Sequence, residues 1–148
     1  MTDDPERRLT EGEAASIRIR RKVEWVDTDA SGHWHNTAVT RFVEMAESAL
    51  WAALGLEDVA YGNGTPRVHT EAQFFEPAHF GEEIEIGCTI REVGRSKVVF
   101  DGLITRQGTE LARMRVTAVL VGDKGSPMEW PPEARRRMLT AGPQTEPR

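Results

Sequence analysis

The chain has 148 residues, enough for one domain with a real hydrophobic core. Its formal charge of −5 at pH 7 argues against general affinity for nucleic acid, because binding through phosphate neutralisation needs a basic excess. No apolar run reaches the roughly 18 residues of a membrane span, the charged opening MTDDPERRLTEGE lacks a signal-peptide core, and Cys88 is the single cysteine. A cytoplasmic protein is expected, with no disulfide, no cysteine-based zinc site and neither a membrane nor a nucleic acid as partner.

Residues 1–16 are polar and without periodicity, and are expected to be a flexible tail. From Ser16 to Trp25 the stretch SIRIRRKVEW alternates Ile17 and Ile19 with Arg18 and Arg20, the pattern of a half-buried strand. After a polar loop, TAVTRFVEMAESALWAAL (37–54) carries Val39, Phe42, Val43, Ala46, Ala49, Leu50 and Ala53 at spacings of three and four, a helical stripe that Gly55 can stop. Met45, Trp51 and Leu54 add apolar surface elsewhere on this helix, so burial on more than one side is expected. Residues 57–66, with Gly62, Gly64 and Pro66, read as a connection.

Four strand candidates follow: RVHTEAQFF, EIEIGCTIREV, KVVFDGLITRQ and TELARMRVTAVLVG, with Gly94 and Gly108 where hairpins would turn. WPPEARRRML predicts a short helix with proline in its first turn, and AGPQTEPR predicts a disordered end. One strand, one apolar helix and four mostly antiparallel strands predict an α+β domain over 17–138, a single sheet wrapped around a central helix, with flexible ends at 1–16 and 139–148. Such a sheet leaves an edge and an apolar rim uncovered, so a homodimer or homotetramer is expected.

The loop VEWVDTDASGHWHN (23–36) sets Asp27, Asp29, His33 and His35 between the first strand and the helix. Three readings are open. A metal site would need ligand spacings closer to those of zinc enzymes, such as two histidines four apart on a helix. A purely structural loop would use Asp27, Asp29, Ser31 and Gly32 as turn formers and Asn36 as a helix N-cap. The third is acyl transfer. A helix N-terminus offers free N–H groups and partial positive charge that stabilise an oxyanion, and an upstream carboxylate can attack the same carbon or activate water to do so. A thioester suits this pairing, since a thiolate leaves without a strong general acid.

The motif W-V-D-T-D-A-S-G-H-W-H-N resembles that of the hotdog-fold thioesterases of the 4-hydroxybenzoyl-CoA thioesterase and acyl-CoA thioester hydrolase type. R-F-V-E (41–44), F-F-E-P-A-H-F-G-E-E (74–83) and I-R-E-V-G-R-S-K (90–97) extend the likeness over about residues 17–138. The resemblance implies a hotdog fold and hydrolysis of an acyl thioester carried by CoA or by an acyl carrier protein, with no metal or other cofactor. It implies Asp29 as the catalytic carboxylate, nucleophile or general base, and the backbone N–H of Asn36 as oxyanion donor. Relatives often carry histidine where this chain has Asn36, so His35 stands beside it as a candidate. Basic residues after the third strand contact CoA phosphates in the family, which points to Arg95, Ser96 and Lys97, with Arg91 nearby; an ordinary solvated hairpin is the other reading.

Asp27 reads better as a turn or capping residue, and His33 as a packing one. Glu44 and Glu47 are reserve carboxylates because a related branch uses a helical glutamate; helix surface or a dimer contact is preferred for both. Trp34 and Trp51 suit either an acyl pocket or the core, and Cys88 reads as a small buried hydrophobe. An acyl-thioester hydratase or dehydratase on the same fold, and a non-catalytic acyl-CoA-binding protein, are the alternative functions.

Overall fold

The computed structural model describes residues 14–148. Most of the expected N-terminal tail lies outside that range. Its last members are ordered, with Ala14 and Ala15 buried and the Ala15 N–H donating to the Met138 carbonyl at 3.1 Å. Strand β1 spans Ser16–Lys22 and stops short of Trp25, because Trp25–Asp27 close a 3-10 turn instead. Helix α1 spans Thr37–Leu54 and ends at Gly55. The segment read as a plain connection contains a further short helix, α2 (Glu57–Tyr61). Strands β2 (Arg67–Phe74), β3 (Glu83–Val93), β4 (Lys97–Arg106) and β5 (Thr109–Val119) follow, then α3 (Pro132–Thr140).

The end read as disordered contributes a two-residue strand, β6 (Pro143–Gln144), parallel to Ser16–Ile17. Beyond it Glu146 accepts two bonds from the Arg21 guanidinium, at 2.6 and 3.1 Å. The sheet order is β2-β5-β4-β3-β1-β6, antiparallel except for the β1–β6 pair. Among the described residues no helix is long and apolar enough to cross a membrane.

Strand periodicity builds one buried face. Ile19, Ile86, Ile104 and Ala112 stand in register across β1, β3, β4 and β5; the next row is Ile17, Cys88, Gly102 and Met114. Helix α1 lies across these strands, burying Val39, Phe42, Val43, Ala46 and Leu50. This is the hotdog arrangement expected from the sequence. Gly102 makes the close approach possible: a Cβ there would sit 2.8 Å from Val43 Cγ2 and 2.9 Å from Cγ1. At the far end of α1, Trp51 lies between Phe100 and Trp130, and Arg137 of α3 donates to the Leu54 carbonyl at 2.9 Å. Trp51 and the C-terminal end of α1 are thus met by α3 and its lead-in.

The two sheet edges differ. β1 is flanked at its start by β6, whereas β2 is exposed or half-exposed along its whole length, with Val68 and Phe74 open to solvent beside Phe75. Gly102→Ala drives a methyl into Val43 and is expected to destabilise the protein by about 1–3 kcal/mol, measured by urea unfolding.

Candidate active site

The segment between β1 and α1 is built around Asp27. Its carboxylate is buried, accepts the Glu24 N–H at 2.8 Å, and is ion-paired with Arg41 in the first turns of α1. Its carbonyl accepts the His35 N–H at 2.6 Å. The side chain thus has the capping role read from the sequence, and the whole residue joins the 3-10 turn to the helix start.

Residues 29–33 form a tight loop. The Asp29 N–H donates to the His33 carbonyl and the Gly32 N–H to the Asp29 carbonyl, both at 3.0 Å, with Gly32 at φ +82°, where glycine is favoured. The loop is laid against residues 78–81. Trp34 N–H donates to the Ala78 carbonyl at 2.7 Å, Phe80 N–H to that of Gly32 at 3.1 Å, and the His33 and His79 rings meet edge to face at 4.5 Å. Glu82 fastens the second segment by accepting the His79 N–H at 2.6 Å and Arg106 Nη1 at 3.0 Å. Burial opposes ionisation of Glu82, but these donors outweigh it and hold its carboxyl below the usual range.

Asp29 itself is exposed. Its Oδ1 accepts both the Ser31 hydroxyl and the Ser31 N–H, at 2.5 and 2.8 Å. The hydroxyl and then the N–H push its pKa down, slight desolvation opposes them, and His33 and His35 add smaller stabilising fields. Asp29 is therefore a carboxylate at neutral pH. No donor among the described residues engages its Oδ2.

The helix start follows. The expected cap at Asn36 is made instead by His35, whose Nδ1 accepts the Thr37 N–H at 3.2 Å and lies 2.8 Å from Thr37 Oγ1. The Ala38 and Val39 N–H groups reach the carbonyls of His35 and Asn36. With the His35 and Thr37 donors also occupied, the exposed Asn36 N–H is left with no acceptor among the described residues. Asp29 and the Asn36 N–H, an anion and a free donor, thus stand at the two ends of one short loop.

The other sequence candidates lie elsewhere. Arg95 and Ser96 lie in the β3–β4 turn and Lys97 opens β4, while the Asp29 loop abuts the opposite end of β3; eleven residues of strand, about 33 Å, lie between. Arg95 lies 3.8 Å from Glu129, and Lys97 Nζ lies 3.7 Å from Glu92. Glu44 is on the exposed face of α1. Glu47 corrects the surface reading: it is buried, ion-paired with Arg67 of β2, and accepts the Trp51 indole N–H at 3.3 Å. Burial raises its pKa despite Arg67. Trp51 belongs to the core, Trp34 packs on Phe42, and Cys88 is fully buried with its thiol pKa pushed up by that burial. Among the described residues, no three His, Cys, Asp or Glu side chains gather as a metal cluster.

Sequence reasoning passed over three contacts: Ser31 to Asp29, Arg41 to Asp27, and Arg67 to Glu47. Only the first carries a local signal, a serine two positions after an aspartate, where an Asx side chain bonds its own loop.

The family model of the thioesterase-like superfamily matches residues 23–138. The chain belongs to this superfamily. No curated protein matches it. Its fold is shared with a 1,4-dihydroxy-2-naphthoyl-CoA thioesterase from Synechocystis, at 21% identity over 83% of this chain and 95% of that one, TM-score 0.75. A thioesterase from Thermus thermophilus, solved with coenzyme A and zinc, is 24% identical over 82% and 95% of the two chains, TM-score 0.74. The gentisyl-coenzyme A thioesterase BH1999 is 22% identical over 80% and 98%, TM-score 0.73. An enzyme of thioester hydrolysis is the class that family and neighbours support.

Asp27→Ala removes an acceptor from the Glu24 N–H and a partner from Arg41. Because Arg41 is half-exposed and regains water, the expected cost is about 1–3 kcal/mol, read as a lower urea midpoint.

Proposed function

We propose that this protein hydrolyses an acyl-CoA thioester to the free acid and thiol, with Asp29 as the catalytic carboxylate and the Asn36 N–H as oxyanion donor. The observation that carries this reading is the free, ionised Asp29 Oδ2 on the same short loop as the unoccupied N–H at the start of α1. The thioester carbonyl oxygen accepts the Asn36 N–H, and the helix-terminal dipole stabilises the charge that develops there. Asp29 attacks the carbonyl carbon directly, or takes a proton from the water that does. Collapse of the tetrahedral species expels the thiolate, whose conjugate acid has a pKa near 8.5 in simple thiols.

CoA as the thiol carrier is supported by the neighbour solved with coenzyme A and by the two neighbours named for CoA thioesters; their names also make an aryl acyl group the first to try. Phosphate contacts by Arg95, Ser96 and Lys97 call for a second copy of the chain, because that turn lies at the far end of β3 from Asp29 of its own chain. The exposed β2 edge, with Val68 and Phe74, supports a homodimer formed by antiparallel pairing of two such edges. β2 runs from the turn end of the sheet to the Asp29 end, so this pairing lays the turn end of one protomer beside the Asp29 end of its partner. A tetramer would join two such dimers.

Asp29→Asn is expected to lower kcat at least about a hundredfold on an acyl-CoA panel, followed by thiol release. Tight acyl-CoA binding with no turnover by the native protein would overturn hydrolysis in favour of a binding protein. Phe74→Glu places a charge that an isolated chain tolerates and a paired edge does not. Light scattering is expected to show a dimer, or a multiple of it, for the native protein and a monomer for the variant.

A further inference from the structure

We propose that Ser31 is a positioning residue for the reaction: by donating through both its hydroxyl and its N–H to one oxygen of Asp29, it fixes the carboxylate and leaves the other oxygen as the one that reacts. The inference rests on the assignment of Asp29 as the catalytic carboxylate.

The geometry is specific. Both Ser31 donors end on Oδ1, at 2.5 and 2.8 Å, and Ser31 Oγ is itself held by the His33 N–H at 3.3 Å. An aspartate turns freely about its last bond, so an exposed one ordinarily offers either oxygen in many orientations. Two donors on one oxygen select one orientation, and the His33 contact ties that selection to the loop resting on residues 78–81. Placing a reacting group before substrate arrives converts lost rotational freedom into rate.

The same bonds favour the ionised form, so the active protonation state persists to lower pH than for an unassisted aspartate. Other charged or titratable groups border the loop. They are His33 and His35 within it, His79, Glu82 and Arg106 behind it, and Glu24, Asp27 and Arg41 at the turn and helix start. Replacing Ser31 changes none of these side chains, although it also frees the His33 N–H from Ser31 Oγ.

The sign of the pH effect follows. A carboxylate whose pKa is depressed keeps its charged form as pH falls; losing the hydroxyl raises that pKa, so activity is lost at a higher pH. Ser31→Ala is therefore expected to lower kcat about tenfold at pH 7 with KM within about twofold, and to move the acid limb of kcat/KM upward. Ser31→Thr, which keeps the hydroxyl, is expected to retain the native limb and most of kcat. A carbon-13 titration of labelled aspartate should show the Asp29 carboxyl moving upward in Ser31→Ala alone, a readout independent of turnover. If Asp29→Asn is inactive while Ser31→Ala has native kcat, limb and carboxyl titration, Ser31 is only a turn former and this inference falls by itself. If Asp29→Asn keeps native activity, the assignment of Asp29 falls and takes this inference with it.

Discussion

The candidate site is built on the burial of one carboxylate, that of Asp27. Asp27 lies under the surface with its oxygens on the Glu24 N–H and on Arg41, while its carbonyl holds the His35 N–H. A buried charge must be met by partners, so these bonds are obligatory once the residue is inside. They fix where the chain leaves β1, how α1 enters, and which N–H is already used when the helix begins. Asn36 is the first donor after His35, and it is the open one between the His35 N–H held by Asp27 and the Thr37 N–H held by His35 Nδ1. The position of Asp29, two residues beyond, is inherited from the same anchor.

What the sequence reveals and what it hides divide along the range of the interactions. α1, β3, β4 and β5 are legible because each repeats an apolar pattern over ten or more residues, and burial of that face is the largest single term in folding. The 3-10 turn at Trp25–Asp27 is held by Arg41, fourteen positions away, and has no period to show. α2 is masked by Gly62, Gly64 and Pro66, which punctuate the segment more strongly than five residues can pattern it. β6 exists only because β1 offers it an edge. Glu47 illustrates the reverse error. A charged residue on a helix is ordinarily at the surface, and nothing near it in sequence announces Arg67. Within the candidate site the reactive residue types stand together in one short motif, whereas the bonds that assign each a task are mostly backbone bonds that any sequence could make.

Charge and burial also separate the candidates by task. Asp29 is open and held ionised by Ser31; Glu47 is enclosed and pushed towards neutrality by its surroundings, even beside Arg67. Two carboxylates within one small domain thus occupy opposite regimes, and only the first combines exposure with an uncommitted oxygen. Cys88 falls on the inert side of the same division, since burial that raises a thiol pKa also removes its nucleophilic form.

The short strap formed by the last residues has a consequence for how copies of the chain can associate. β6 covers the start of the β1 edge, Glu146 clamps Arg21, and Arg18, Arg20 and Lys22 line the remainder. That side of the sheet is occupied at one end and carries charged side chains along the rest, Arg18 and Arg20 beside Glu85, while the β2 side is exposed. A sheet with two open edges can add neighbours without limit and grow into a ribbon. A sheet with one open edge can accept a single neighbour, after which nothing remains to extend. The C-terminal strap occupies part of the β1 edge, so strand pairing between copies of the chain is left to the β2 edge.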